Sequence, residues 1–566
     1  MGKLKKLGLV AHTVKYMTAR QWFYRVYYAL RPAVKPPKGR QLTPRSIPLG
    51  FAPGAQSGEA AESLLKLEFS LVSGYTAKFS GEVDWDLPGC EYRLQCFRLN
   101  SFDFLHTLAA AGEEKHIRLG FDLMEHWQRT AGKAAGDKWN AYPLAQRLCN
   151  WIGFASTVDE SRLAHIAPWI DSQAQVLHKN IEYHLGANHL LTQGKALAWA
   201  GAFLKDEKLL EKGLKLLDKE YATQFLADGA HYEGSLSYHI ESLQQYFETV
   251  MLLHCLGDSR WEHWARRLQP NYAYLSGLLG ADGTIPLYND SAFDYCAEAK
   301  DFLATSALLY QTAAPGSQTG PYCRRWEAVA KPLAAQWPQP ATRLYPQSGL
   351  FVDRFPGHSF YLRCGNLGPD CNLGHAHADQ LSILWKTDAG EIFADSGVFT
   401  YQPGSLRTAC RATAAHNTVE LDGQSSAQVW GAFRTARRGY GRVTQHSGSS
   451  ITAEHSGYRK LLGDGLSHQR SYTRSGGRVI LTDTLTAKKK AHQATLRFHL
   501  APGCAAQALD EHRVLLAGKY TLECSEPVTL EPCRVAGRFG CMEESLCVTA
   551  RLRFRGQAQI RTDIIL

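Results

Sequence analysis

Residues 336–363 read QWPQPATRLYPQSGLFVDRFPGHSFYLR, and the chain changes character inside this stretch. Pro338, Pro340 and Pro346 oppose a continuing helix, because each lacks an N–H and restricts the residue before it. From Gly349 onward apolar residues alternate with polar ones, and β-branched or aromatic side chains recur, as in 350–354 and 359–363. The Pro356-Gly357 pair between those runs marks a turn. The same pattern returns at 479–485 and 546–560, so the C-terminal part reads as a large antiparallel β-sandwich.

Upstream, 191–225 is rich in Ala, Leu and Lys at helical spacing and lacks proline; 101–111, 236–256 and 300–312 read the same way. Pro143, Pro168, Pro270 and Pro286 are expected to cut this region into several short helices. Many antiparallel helices imply a toroid or array, although no fixed period marks a repeat. The expected organisation is multidomain: a basic arm over 1–45, a helical α/α toroid over 46–345, and an antiparallel β-sandwich over 346–566. A site is expected at the junction, since clefts between domains favour ligands.

At 566 residues, 45% hydrophobic and 20% charged, the chain can build sizeable cores and is not disordered, collagen-like or a small disulfide scaffold. No run of about 18 apolar residues marks a membrane-spanning helix. The net charge of +10 comes entirely from the first 40 residues, which hold ten Lys or Arg and no Asp or Glu; the rest carries 53 of each sign. A charge-neutral body without a recognised module disfavours nucleic acid as a partner. The arm reads either as a helix or tail against the body, or, with Trp22, Phe23, Tyr24, Tyr27 and Tyr28, as a peripheral contact for an anionic membrane surface or partner. The apolar run after Lys6 is too short for a signal peptide, and the 14 scattered Cys contain no Cys-x-x-Cys pair. The expected location is cytoplasmic, with the periplasm as the alternative.

Two constellations carry chemistry. In Gly374-His375-Ala376-His377-Ala378-Asp379 the two histidines are two apart and share a face of an extended backbone. Asp379, Asp395 and His416 follow within about 40 residues, and two imidazoles plus a carboxylate suit zinc. The second constellation, in the helical half, is Asn188-His189 followed by 228–234 and Ser237-Tyr238-His239. Asn, His and Tyr are the types needed to hold a carboxylate and move a proton. Capping and packing are the competing uses of these residues.

In this order the segments resemble the heparinase II/III-like family of polysaccharide lyases. The resemblance runs from about Arg20 to the C-terminus. It rests on 20–25, 102–105, Tyr142-Pro143-Leu144, Asn150-Trp151-Ile152, Asn188-His189-Leu190-Leu191, 228–233 with Tyr238-His239, and 374–379 with Ala415-His416-Asn417-Thr418. It implies an α/α toroid joined to a β-sandwich, and β-elimination on a uronic-acid-containing anionic polysaccharide. Asn188 matches the group that neutralises the substrate carboxylate. His189 matches its assisting histidine, Tyr238 the acid/base, and His375 the catalytic histidine of the sandwich. His377, Asp395 and His416 match ligands of a zinc ion, whose expected role is structural, pinning the loop that carries His375.

Positive charge must meet such a substrate. Arg407, Arg411, Arg434, Arg437 and Arg438 are candidates, interleaved with Tyr401, Trp430 and Phe433. Glu233 is placed with these substrate-binding groups. Arg147 and Trp151, with Trp139 and Tyr142, are candidates for the toroid side of the groove. Two other readings stay open. A toroid glycoside hydrolase needs two carboxylates flanking the bond, for which Glu233 and Asp290 are available. A non-catalytic polysaccharide-binding or assembly protein needs only the fold.

Overall fold

A five-stranded antiparallel sheet is the seam between two hydrophobic cores. Its strands, in order, are Arg343–Tyr345, Leu350–Phe355, His358–Arg363, Ile383–Thr387 and Gly390–Phe393. Because strand side chains alternate sides, one face sends Leu350, Val352, Tyr361 and Leu384 into the helical core. The other sends Phe351, Phe360, Leu362, Ile383 and Trp385 into the core of the sandwich. Both faces are therefore dry, as the continuous burial of Ile383–Thr387 records. The computed structural model describes residues 3–53, 58–90, 92–131, 136–327 and 333–566; Met1 and Gly2 of the basic arm lie outside them.

An eight-stranded sheet completes the sandwich, ordered Gly441–Ser447, Ser450–His455, Ser467–Ser475, Arg478–Thr486, Gln557–Ile565, Tyr520–Cys524, Arg513–Leu516 and Ala506–Ala508. A four-stranded sheet joins it: Val528–Arg538, Cys541–Phe554, His492–His499 and Val419–Leu421. Aromatic rings bridge the layers, with Trp385 and Tyr520 4.8 Å apart and Phe393 and Phe498 4.9 Å apart between centroids. All fourteen cysteines are free.

The N-terminal half is the expected α/α toroid. After α1 (Lys3–Val14) and α2 (Ala19–Leu30) come α3 (Glu59–Leu65), α4 (Arg93–Ser101), α5 (Leu105–Ala111), α6 (Glu114–Ala131), α7 (Ala141–Val158) and α8 (Leu163–Lys179). Then follow α9 (Ala187–Leu204), α10 (Glu207–Gln224), α11 (Leu236–Cys255) and α12 (Arg260–Leu278). The helical stretch 191–225 is two helices, parted where Lys205 takes φ +55° and Asp206 caps α10 through Leu209 N–H. Helix α9 is the hub: every residue except His189 is buried. Gly213 lets α10 approach it, since a Cβ there would lie 2.4 Å from Ala198 N.

Two of the expected proline breaks are corrected. Pro168 and Pro270 lie inside α8 and α12. Around Pro270 the tyrosine hydroxyls of Tyr310 and Tyr221 donate to the carbonyls of Ala265 and Arg267, each at 2.5 Å. Tertiary partners thus bind carbonyls beside the interrupted ladder, so the helix continues.

The basic arm is docked rather than trailing. Thr18 and Gln21 form a capping box for α2. Arg20 pairs with Glu220 at 2.8 Å, the Tyr24 ring lies 4.5 Å from that of Tyr183, and Arg40 pairs with Asp171 at 2.7 Å. Trp430 of the sandwich donates its indole N–H to Thr13 Oγ1 at 3.1 Å.

Candidate active site

Three chain segments converge where toroid meets sandwich. The first is the N-terminus of α9. Ala187 is held at φ +52°, a strained conformation for a residue with a Cβ, and Gln224 Nε2 donates to its carbonyl at 3.1 Å. This turn sets Asn188 and His189 on the first turn of the hub helix. Asn188 Nδ2 donates to Glu241 Oε2 at 3.3 Å. His189 Nδ1 meets Glu182 Oε2 at 2.7 Å. Burial pushes the His189 pKa down, but the Glu182 carboxylate reverses this and the net shift is upward. The imidazolium is thus favoured at the rim of the helical half.

The second segment is α11, whose N-cap Ser235 Oγ accepts from Tyr238 N–H at 3.3 Å and donates to the Asp290 carbonyl at 2.8 Å. Tyr238 lies one turn before Glu241, on the same helix face. Its ring rests on His375, centroids 3.8 Å apart at 30°, and its hydroxyl lies 2.9 Å from that of Tyr401. Burial drives the Tyr238 pKa well above the ordinary phenol value, helped by Tyr295, Tyr401 and Glu241, so the phenol keeps its proton.

The third segment is the 374–379 loop of the sandwich, and Asp290 fastens it to the toroid side. Asp290 is fully buried. Its Oδ2 lies 2.9 Å from His375 Nδ1 and its Oδ1 2.8 Å from His377 Nε2. The Arg407 guanidinium grips both oxygens, with Nη2 2.6 Å from Oδ2. Burial alone would raise this carboxyl's pKa, but Arg407 and the two histidines hold it well below the usual range. An ionised Asp290 accepts the Nδ1–H of His375, which leaves Nε2 as the basic nitrogen. Asn289 sits at φ +56° and accepts His377 N–H at 3.0 Å.

His377, Asp395 and His416 each offer a donor atom, and these atoms lie within 4.8 Å of one another. His377 Nδ1 and His416 Nε2 have no hydrogen-bond partner although both rings are wholly buried. Orphaned imidazole nitrogens beside a buried carboxylate fit a metal ion. Burial lowers the His377 pKa to about 4, which keeps its ring neutral as a ligand must be. Asp379 lies outside this group and pairs instead with Arg363 at 3.4 Å.

Glu233 is 2% exposed and neither oxygen finds a partner; His231 Nδ1, at 3.9 Å, is too far. Burial pushes its pKa up to about 7. An acid with a raised folded-state pKa loses stability as pH climbs from its unfolded value towards the folded one. Glu233→Gln is therefore expected to stabilise the protein by on the order of 3 kcal/mol at pH 8 and by little at pH 4. Thermal unfolding at the two pH values measures this, and equal midpoints at pH 8 would contradict it.

Several expected substrate contacts are corrected. Arg411 is fully buried and donates to the carbonyls of Ala376, Leu373, Ala432 and Arg434. Arg438 serves the carbonyls of Ala436, Thr435 and Asp370 and stacks on Tyr16 at 3.9 Å. Arg407 is taken by Asp290. Only Arg434 of the four is exposed; it lies over the Trp430 ring at 4.8 Å. Arg147 is a core residue, stacked on Trp127 at 3.8 Å, with Trp151 and Trp139 also buried. Arg411 and Arg438 are spent closing backbone carbonyls where loops cross, and Arg407 on the Asp290 carboxylate.

Sequence reasoning missed Glu182 and Glu241 and gave Asp290 another use. Glu241 was detectable, being three residues beyond Tyr238 on a helix. Glu182 precedes a turn of unusual geometry and left no signal. Asp290 cannot flank a glycosidic bond as a hydrolytic acid, since three basic groups already surround it.

A family model described as "Heparinase II/III N-terminus" matches residues 3–313, and one described as "Heparinase II/III-like, C-terminal" matches 338–559. A curated heparin-sulfate lyase of Bacteroides thetaiotaomicron is 23% identical over 446 residues, covering 70% of this chain and 60% of the relative. The matched part thus spans about three fifths of that relative. A crystal structure of heparinase III superposes with TM-score 0.68 at 19% identity, covering 96% of this chain and 89% of the other. The heparan sulfate lyase of Pedobacter heparinus gives 0.60 at 16%, over 96% and 87%.

Proposed function

The chain belongs to the heparinase II/III family, and from that premise we propose that it is a polysaccharide lyase acting on a uronic-acid-containing anionic polysaccharide by β-elimination. The names of its relatives make glycosaminoglycans the first class to test. One observation carries the reading: the Tyr238 ring stacked on His375 across the domain junction, one helical turn from the partner of Asn188.

The C5 proton of a uronate is hard to remove while the adjacent carboxylate is ionised. Asn188, a neutral donor, and His189, a cation sustained by Glu182, stabilise the enolate-like charge that develops there. His375 Nε2 takes the C5 proton, its other nitrogen tied to Asp290. The C4–O bond breaks, a C4–C5 double bond forms, and the Tyr238 phenol protonates the departing oxygen. This leaves a phenolate and an imidazolium, and the next turnover requires the phenol to regain a proton and the imidazolium to lose one. Glu233 contributes a buried carboxyl with a raised pKa to the wall of the same site.

His377, Asp395 and His416 would hold zinc, which when bound supplies a fixed anchor for the loop between His375 and Asp379. Zinc added to chelator-treated protein is expected to stabilise the fold by about 2.7 kcal/mol at a hundredfold excess over Kd, read as a rise in thermal midpoint. His416→Ala is expected to abolish that shift. A midpoint blind to zinc in the unaltered protein removes the metal from the reading.

The lyase reading is tested by incubating the protein with heparan sulfate, hyaluronan and alginate and following the ultraviolet absorbance of the unsaturated product. Reducing ends that appear without that absorbance would indicate hydrolysis. Polymer binding without cleavage would indicate the non-catalytic role.

A further inference from the structure

Among the described residues twelve large hydrophobic side chains are left exposed, and seven of them lie between Leu7 and Leu30. On α2 they are Trp22, Phe23, Val26, Tyr27 and Leu30, with Leu30 80% and Phe23 63% exposed. Their spacing puts them on one stripe of the helix, and the Phe23 and Tyr27 rings stack in parallel at 6.1 Å. The opposite stripe is the one clamped to the body, through Arg20 to Glu220, Tyr24 against Tyr183, and Tyr28 to the Ile181 carbonyl. The helix is therefore held rigidly with its aromatic ridge turned outward. A folded protein does not ordinarily keep such a concentration of apolar surface in water.

Charge narrows the occupant. The first 40 residues hold ten basic and no acidic residues, against a body of zero net charge. Lys6, Lys15, Arg25 and Lys35 of this arm are exposed. A second copy meeting ridge to ridge would oppose two wholly basic arms. Tryptophan and tyrosine set among cations suit instead the interface of an anionic bilayer, where rings enter the headgroup layer and cations meet lipid phosphates. No helix among the described residues is long and apolar enough to cross a membrane, so the contact would be peripheral.

We infer that the outward stripe of α2, with the basic residues of the same arm, docks this protein on an anionic lipid surface. The arm also touches the sandwich at Trp430, in the hairpin of strands Val429–Trp430 and Arg434–Thr435 whose turn carries Phe433, 5.7 Å from the His375 ring. Docking would thus hold the junction site at a defined height above the bilayer, where a membrane-attached polymer is presented. The inference is independent of the chemistry at that site.

The test is co-sedimentation of the full chain with phosphatidylcholine vesicles and with vesicles of three parts phosphatidylcholine to one part phosphatidylglycerol. About tenfold stronger partitioning onto the anionic vesicles is expected, weakening at high salt. The triple variant Trp22→Ser, Phe23→Ser, Tyr27→Ser is expected to lose about tenfold in binding while the thermal transition still shows a folded protein, because the ring contacts of Phe23 and Tyr27 lie within α2. The pair Lys6→Glu, Lys15→Glu is expected to abolish the preference for anionic lipid. Absence of binding to either vesicle overturns the inference, as does binding that the ridge variant retains. A solution dimer that the ridge variant converts to monomer overturns it too, by assigning the stripe to a second copy.

Discussion

Tyr238→Phe is expected to lower kcat by about 10²–10⁴-fold on any polymer the protein cleaves, with KM nearly unchanged. The substitution removes one oxygen. The remaining ring can still stack on His375, and the carboxylate grip of Asn188 and His189 is untouched, so binding should survive. What disappears is the proton for the departing 4-oxygen. The environment makes this loss severe, because the phenol is buried and held neutral by burial and by Tyr295, Tyr401 and Glu241, with the Tyr401 hydroxyl 2.9 Å from its own. Initial rates of unsaturated product, with circular dichroism as the folding control, decide the matter. Product formed by the variant at the rate of the unaltered enzyme would remove Tyr238 from the chemistry.

The second large effect is expected from Asp290→Asn. The amide fits the space but carries no charge and brings donors to a place already filled with them: Arg407, His375 and His377. A buried guanidinium without its carboxylate costs about 3–5 kcal/mol, so a fall in thermal midpoint of several degrees is expected. The loss of kcat should also reach about 10²–10⁴-fold, because His375 Nε2 is basic only while the other nitrogen donates to a carboxylate. The two consequences separate in the double variant Asp290→Asn, Arg407→Met. Removing the unpaired cation should restore much of the stability, whereas turnover should stay low. Full activity in a correctly folded Asp290→Asn protein would show that His375 needs no such partner.

These two residues illustrate what was and was not readable. Tyr238 could be picked out because it stands in a recognisable order with Asn188-His189 and the later histidine loop. Asp290 sits in Tyr288-Asn289-Asp290-Ser291, a polar run like many loops, and nothing local distinguishes a carboxylate at a domain junction from a turn residue. The arginines failed in the opposite direction. Arg411 and Arg438 look like surface cations in the sequence, yet irregular loops between strands leave carbonyls unpaired, and a guanidinium is the side chain with enough donors to satisfy several together. Pro168 and Pro270 misled for a related reason: local rules of helix breaking yield to tertiary contacts, which around Pro270 include tyrosine hydroxyls bonded to neighbouring carbonyls.

By itself the sequence determined the local and periodic features of this protein. The switch at 338–346 separates helical from strand spacing, the alternation at 350–363 specifies a sheet, and the uniform charge of the first 40 residues marks the arm. Those properties depend on neighbours along the chain, which a string of letters preserves. Only the tertiary structure decided that the 350–363 sheet is buried on both sides, that Asp290 ties His375 to the toroid, and that the α2 aromatics face outward. Each of these depends on which distant groups share a volume from which water is excluded, and there burial together with the charged partners it encloses sets charge state and pairing.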